Sequence, residues 1–337
     1  MNIVFKYYGS VLIIFTLFVF QNTYTQTSKT KIGLLLADLT IERWAKDRDY
    51  FLSKSDELNY TTIVCDAKNN QLLQNHQADS LIKEGIKILI VVPVDGFGAA
   101  ILVDSAHSKG VKVLAYDRLI MNCNLDAYIS YDNELIGRIM VIYATLNFKK
   151  GTVAYIGGPK SDMNSIAIHK GVLRELKPYL KNNSMHLVCD TFTNHWSSIE
   201  STKILKEYLL VNKCPDAIFA ANDELAKGII IVLDSIGLAG KVIVTGQDAD
   251  LNACQNLISG KQTLTIFKPI RVLAERAVQL SSGLLGDIPF LTISEVNNGK
   301  VNVPSFILAP LPVDKKNLRV SVIREGYHTE DQIFRPK

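Results

Sequence analysis

The sequence predicts an α/β protein with two doubly wound, Rossmann-like parallel-sheet lobes joined by several short crossings. Three observations carry this expectation. The chain has 337 residues, enough for two domains at roughly 150 residues each. From residue 31 onward a short β-branched run, a turn and an amphipathic stretch recur, and the series restarts after residue 146. The strand runs are continuously apolar, as in strands covered on both faces. Strands alternating with helices form βαβ units with right-handed crossovers, and these make parallel sheets.

The elements follow in order. Residues 32–37 (IGLLLA) read as the first strand. In the next stretch Ile41, Trp44, Phe51, Leu52 and Leu58 roughly keep a 3.6-residue period, so a helix is expected there. A strand over 61–65 leads to a helix over 72–83, with Gly85 as its terminating glycine. Residues 86–92 (IKILIVV) form a third strand, 99–108 a helix closed by Gly110, 111–115 a fourth strand and 127–130 a fifth. After a helix over about 134–146, strands are expected at 152–156, 186–189, 217–220 and 241–245, with helices between them. Short strands at 264–267, 292–295 and 305–308 complete the chain. No linker rich in Pro, Gly or Ser divides the two series, so the crossings themselves are expected to act as hinges.

The N-terminus reads as an export signal. Lys6 precedes the uncharged run VLIIFTLFVF at residues 11–20, polar QNTYTQ follows, and Thr23 and Thr25 suit cleavage before Gln26. Ten apolar residues are short for a bilayer, which needs about 20. An uncleaved anchor and a buried helix are the alternatives. The first cysteine after the run is Cys65, which argues against a lipid-anchored form. A signal peptide over 1–25 and a periplasmic mature protein are therefore expected.

Composition removes several function classes. With 47% apolar and 21% charged residues the chain is globular, and 37 basic against 33 acidic residues leave a net charge of only +4. Basic residues nowhere cluster beyond pairs, so no nucleic-acid partner is expected. Five cysteines without a C-x-x-C pair exclude a disulfide scaffold and a thiolate zinc site, and a Cys189–Cys214 bridge stays open. The motifs G-x-S-x-G, H-E-x-x-H and the phosphate-binding loop are all missing. Gly96-Phe-Gly98 lacks the third glycine of a dinucleotide site, and the six histidines show no metal spacing. No catalytic residue, metal or cofactor is expected, and the protein is not read as an enzyme.

Polar residues concentrate where such sheets bind ligands, outside the carboxyl ends of the strands. Asp38, Arg43 and Trp44 follow the first strand, Asp117 and Arg118 follow KVLAY, and Asp132 and Asn133 follow YIS. Asp162 and Asn164 follow the strand ending IGG; Asn222 and Asp223 follow IFAA; Gln247, Asp248 and Asp250 follow VIVTG. Any one of these is an ordinary helix cap or turn residue. Their recurrence after nearly every strand points to a ligand with many hydroxyls, because Asp, Asn and Arg side chains each bridge two adjacent hydroxyls. Trp44 and Trp196 would add flat faces for the C–H side of a sugar ring.

The segments KIGLLLADLTIERWAKDRDYF, KVLAYDRLI, YISYDNELIG, AANDELAKG, VTGQDADL and TLTIFKPI resemble the periplasmic D-xylose-binding branch of the sugar-binding proteins of ABC importers. That family also covers ribose and galactose. The likeness runs in order from about residue 31 to 328, and IERW, AYDR and GQDAD together mark the xylose branch. The resemblance implies a type I periplasmic binding fold with three hinge crossings, near 132–134, 266–269 and 298–304, closing on a pentose. It implies an N-terminal lobe of 31–132 plus 267–300 and a C-terminal lobe of 133–266 plus 301–330. The family's sugar contacts fall on Arg43, Trp44, Asp117 and Arg118 in the first lobe and on Asp162, Asn164, Trp196, Asn222 and Asp248 in the second, with Lys268 beside the second crossing. Two departures stand out. His169 replaces a frequent arginine, and CDTFTNHW around Trp196 replaces a more acidic, glycine-containing segment. The implied partners are a monosaccharide and a membrane ABC permease, with a sensor histidine kinase as the alternative, and a monomer is expected. A LacI-type repressor shares this core but begins with a DNA-reading helix-turn-helix, where this chain has its leader.

Overall fold

A computed structural model describes residues 29–146 and 148–335, and the expected leader lies outside them. The first series runs β1 (Lys31–Leu36), α1 (Glu42–Glu57), β2 (Thr61–Asp66), α2 (Gln71–Lys83), β3 (Ile88–Val91), α3 (Ala100–His107), β4 (Lys112–Tyr116) and β5 (Ala127–Tyr131). Its strands pair in parallel in the order β2-β1-β3-β4-β5, a doubly wound order with its switch between β1 and β3. Five of the six β1 residues are buried, as a centrally placed parallel strand requires. The Asn70 side chain caps α2 by accepting from the Leu73 N–H, and Gly85 and Gly110 follow α2 and α3 with positive φ.

The second series repeats the plan. It comprises α4 (Asn133–Thr145), β6 (Gly151–Gly157), α5 (Met163–Lys181), β7 (Met185–Phe192), α6 (Ser198–Leu209), β8 (Ala217–Ala220), α7 (Asp223–Ser235), β9 (Ile243–Thr245) and α8 (Leu251–Ser259). The strands again pair in parallel, in the order β7-β6-β8-β9. Helices α4 and α5 cross almost backbone to backbone. A Cβ on Gly137 would lie 2.0 Å from the Ile168 carbonyl oxygen, and one on Gly171 would lie 2.0 Å from that of Glu134.

The remaining elements are β10 (Thr265–Phe267), α9 (Ile270–Leu285), β11 (Ser294–Asn297), β12 (Asn302–Leu308), β13 (Leu311–Val313) and α10 (Glu330–Phe334). Helix α9 returns to the first series, where Leu273, Ala274, Ala277 and Val278 join Trp44, Phe51 and Ile32 in one core. Strand β12 pairs in parallel with β5 and antiparallel with β11, so the first sheet has seven strands. The chain therefore passes between the sheets at Asp132, at 268–269 and at 309–310. The third crossing lies beyond the expected 298–304, and residues 302–308 hydrogen-bond into the first sheet. Asn298, Gly299 and Pro304 serve a hairpin instead: Gly299 has φ +90°, and the Asn298 Oδ1 accepts from the Lys300 and Val301 N–H groups.

The three crossings lie side by side. The Asp132 N–H donates to the Leu308 carbonyl (2.9 Å), and the Tyr131 hydroxyl donates to the Pro269 carbonyl (2.8 Å). Beyond them β13 pairs antiparallel with β10. The C-terminal segment packs Leu318, Val322, Tyr327 and Ile333 against Phe267, Ile270 and α8. Lys46 of α1 donates to the Tyr327 carbonyl (2.8 Å) and lies 3.9 Å from the centre of its ring. Among the described residues no helix is long and apolar enough to cross a membrane.

Candidate functional site

The two fourth strands, β4 and β9, end in matching ways. Asp117 follows β4 with φ 63°, and Asp248 follows β9 with φ 95°, a left-handed conformation that costs an ordinary residue of order 1–3 kcal/mol. Each is held by its neighbouring strand: the Asp117 N–H donates to the Ile129 carbonyl and the Asp248 N–H to that of Ile266, both at 2.8 Å. The Ser130 hydroxyl donates to the Asp117 carbonyl at 2.6 Å and the Tyr128 hydroxyl at 3.2 Å. These bonds aim two carboxylates, one from each series, into the gap between the sheets.

Arg43, in the first turn of α1, reaches both. Its Nη2 donates to Asp117 (2.5 Å), its Nη1 to Asp248 (3.4 Å) and its Nε to Asp47 (3.2 Å). Lys268, at the second crossing, lies 2.8 Å from Asp248. Arg118 forms an ion pair with Asp162 at the N-terminus of α5 (2.8 Å) and donates to the Pro93 carbonyl (3.2 Å). Asn164 donates to Asp117 (3.0 Å) and accepts from Asn133 (2.9 Å). The Trp196 indole N–H donates to Asp162 (3.1 Å), and its ring lies flat on Gly158, where a Cβ would come within 2.5 Å. Asn222 caps α7 through the Leu225 N–H (2.9 Å). The guanidinium groups of Arg43 (4.4 Å) and Arg118 (5.7 Å) both lie against the Trp44 ring, so one aromatic ring supports two cations.

All ten residues that the family resemblance implies as sugar contacts line one cavity of about 40 Å³, together with Ile41 and the strand-end residue Gln247. A cleft of about 810 Å³ adjoins it, sharing Ile41, Arg43, Arg118, Trp196, Asn222 and Asp248. Asn194 and His195 of the divergent segment line that outer cleft, with Ser197 and Ile199 just beyond it. His169 lines neither. It bonds Asp190 (2.8 Å) and packs between Tyr155 and Phe192.

Burial sets the electrostatics. It opposes the charge on Arg43, yet the carboxylates of Asp117, Asp47 and Asp248 hold its pKa well above the ordinary arginine value. Burial would likewise raise Asp117, but Arg43 and Lys268 outweigh it and hold the carboxyl below the usual range. Asp47, beneath Arg43, is pushed by burial up to about 6 and accepts from the Tyr116 hydroxyl. Neither Asp47 nor Tyr116 stood out in the sequence, where one is another charged helix position and the other a strand aromatic. Asp250, beside the outer cleft, is raised by burial and by Asp248 to about 7.

The arrangement suits ligand holding more than bond making. Paired carboxylates and cations already neutralise one another across the gap. Among the described residues no group of three or more His, Cys, Asp or Glu side chains is placed to hold a metal. Cys65, Cys123, Cys189, Cys214 and Cys254 are all free thiols, so the 189–214 bridge is not formed.

A family model described as a periplasmic binding protein domain matches residues 32–287. The chain is 36% identical over 305 residues to a D-xylose-binding periplasmic protein of Haemophilus influenzae, covering 90% of this chain and 92% of that protein. It is 34% identical over 324 residues to a D-xylose-binding periplasmic protein of Escherichia coli, covering 96% and 98%. Among solved structures, a carbohydrate transporter solute binding protein from Chloroflexus aurantiacus in complex with D-glucose superposes with a TM-score of 0.85 at 25% identity, covering 91% of this chain and 98% of the other. An ABC transporter solute binding protein from Clostridium phytofermentans with bound β-D-glucose gives 0.82 at 26%, covering 90% and 100%.

Proposed function

The chain belongs to the periplasmic binding protein family with the type I fold, and from that premise we propose that it is the sugar-binding component of an ABC transporter, taking D-xylose between its lobes and presenting it to a membrane permease. The kinship with two D-xylose-binding proteins above 30% identity over nearly the whole chain supports the ligand class. The same kinship favours transport over the sensor alternative. The relatives are binding proteins, and this chain too binds its sugar without altering it.

The observation that carries the reading is the set of bonds made from one series to the other around a single cavity: Arg43 to Asp248, Arg118 to Asp162 and Asn164 to Asp117. The proposed ligand contacts are Arg43, Trp44, Asp117, Arg118, Asp162, Asn164, Trp196, Asn222, Asp248 and Lys268. A cavity of about 40 Å³ holds a few waters at most. A pyranose ring therefore enters only when these partners part, and its hydroxyls then bridge them. The lobes proposed here divide at the three crossings, with β12 counted with the first, and rotate about them. A ligand bonded to both lobes favours the closed arrangement because only there does it gain both sets of bonds. The mature protein is proposed to be periplasmic after removal of residues 1–25, and to act as a monomer without a cofactor or nucleic-acid partner.

Isothermal titration with D-xylose and other pentoses and hexoses tests this reading, with chromatography of the recovered sugar. Saturable binding of a pentose, recovered unchanged, supports it. Absence of binding to every sugar, or recovery of an altered one, refutes it.

A further inference from the structure

Two buried side-chain atoms at the cavity have no hydrogen-bond partner, the Trp44 Nε1 donor and the Gln247 Oε1 acceptor. Both residues are almost wholly buried, at 2% and 3% exposure. Buried polar atoms are rarely left unpaired, and an exception calls for a physical reason. The other acceptors around the cavity are engaged: Asp117 by Arg43 and Asn164, Asp162 by Arg118 and Trp196, and Asp248 by Lys268 and Arg43. Gln247 differs because nothing in the protein bonds its amide oxygen.

Its backbone is pinned as well. The Asp223 N–H donates to the Gln247 carbonyl (3.0 Å), the Ile266 N–H donates to the Gly246 carbonyl (3.1 Å), and the Asp248 N–H donates to that of Ile266 (2.8 Å). With both neighbours fixed to β10, the side chain has no means of reaching a partner by shifting the chain. The neutral amide also stands among charged groups that already balance one another, so it reads the presence of a hydroxyl rather than a charge.

We propose that Gln247 is a further specificity-determining residue of the sugar site, its Oε1 accepting a hydrogen bond from one ligand hydroxyl. This rests on the reading that the cavity holds a monosaccharide. A site built to bond a hydroxyl strongly rejects the analogue that lacks it, because the protein group is then left unpaired. Gln247 thereby makes the protein discriminate against deoxy sugars at one position of the ring.

The test pairs Gln247→Met, which keeps the length and removes the amide, with titration of D-xylose and its monodeoxy analogues. The variant should bind xylose about 10- to 100-fold more weakly, and this penalty should shrink to within about twofold for one deoxy analogue. Because an unpaired polar group is removed, ligand-free Gln247→Met should melt no lower than the parent, whereas a merely structural glutamine would lower the melting temperature. Gln247→Asn, which keeps the amide but withdraws it, provides a second variant and should also weaken xylose. Unchanged xylose affinity in both variants, or an equal penalty for every analogue, overturns the role. Failure of the parent protein to bind any sugar overturns the underlying reading instead, and the role with it.

Discussion

Arg43 and Asp248 meet across the gap between the two sheets at 3.4 Å, although 205 positions separate them in the chain. Arg43 belongs to the helix after the first strand of the first series, and Asp248 to the turn after the fourth strand of the second. Asp117, at the matching turn of the first series, takes the other terminal guanidinium nitrogen. One cation thus joins the two corresponding turns.

Removing either acid should cripple binding. Asp117→Ala or Asp248→Ala should each cost ~2–4 kcal/mol of xylose affinity, since charge-assisted bonds are lost and buried cations are left unpaired. Titration calorimetry checks this, and near-parental affinity in both would mean that the ligand sits elsewhere.

Arg118→Lys keeps the charge and loses the fork. The guanidinium pairs with the Asp162 carboxylate, donates to the Pro93 carbonyl and lies over Trp44, a set that a single ammonium does not reproduce. Affinity should fall by about tenfold or more. An unchanged dissociation constant in a stopped-flow or calorimetric measurement would contradict this.

Asp250 should make stability fall as pH rises. Its carboxyl titrates near 7 in the folded chain, because of burial and Asp248, against the ordinary 3.8. Between those values the folded chain holds a proton that the unfolded chain has released, so the stability present at low pH is lost on rising through 7. Asp250→Asn should lessen this slope, to which the raised carboxyls of Asp47 and Asp223 also contribute, and above pH 7 exceed the parent by about 1–2 kcal/mol, allowing for the solvent that reaches this half-buried group. Calorimetric melting between pH 4 and 8 compares the two, and parallel profiles would refute the assignment.

The α4–α5 crossing should tolerate no side chain at its closest points. Gly171→Val places atoms inside van der Waals distance of the Glu134 carbonyl. The helices must separate, at a cost of about 1–3 kcal/mol or more. Chemical denaturation gives the number, and a variant as stable as the parent would show that the helices slide freely.

Closure should be visible in solution. Small-angle scattering should show the radius of gyration falling when xylose is added, because bonds to both lobes draw them together. Tight binding with an unchanged profile would exclude the hinged mechanism.

The sequence made much of this legible for identifiable reasons. Continuous apolar runs between amphipathic stretches leave little choice but parallel strands, and the parallel strands of the seven- and four-stranded sheets formed where the alternation placed them, while β11 and the β10–β13 pair run antiparallel. The strand-end rule picked out Arg43, Asp117, Asp162 and Asp248, the family resemblance added Lys268, and all of them line one cavity. The third crossing was misplaced because Asn298, Gly299 and Pro304 are turn formers, and a hairpin uses the same residues as a hinge. Asp47 and Tyr116 stayed hidden because their importance comes from a contact over a separation of 69 residues, which leaves no local trace. Gln247 stood among the strand-end residues, yet only burial without a partner sets it apart from an ordinary turn residue.

The three neighbouring crossings have a mechanical consequence. Three ties along one edge resist shear and twist and leave a single soft rotation, as a door on several pins has one path of swing. In the hinged mechanism proposed above, the search from open to closed then runs along one coordinate. Under that proposal the body returns to the same closed outline each time, and a membrane partner is offered a fixed shape whenever the cleft is filled.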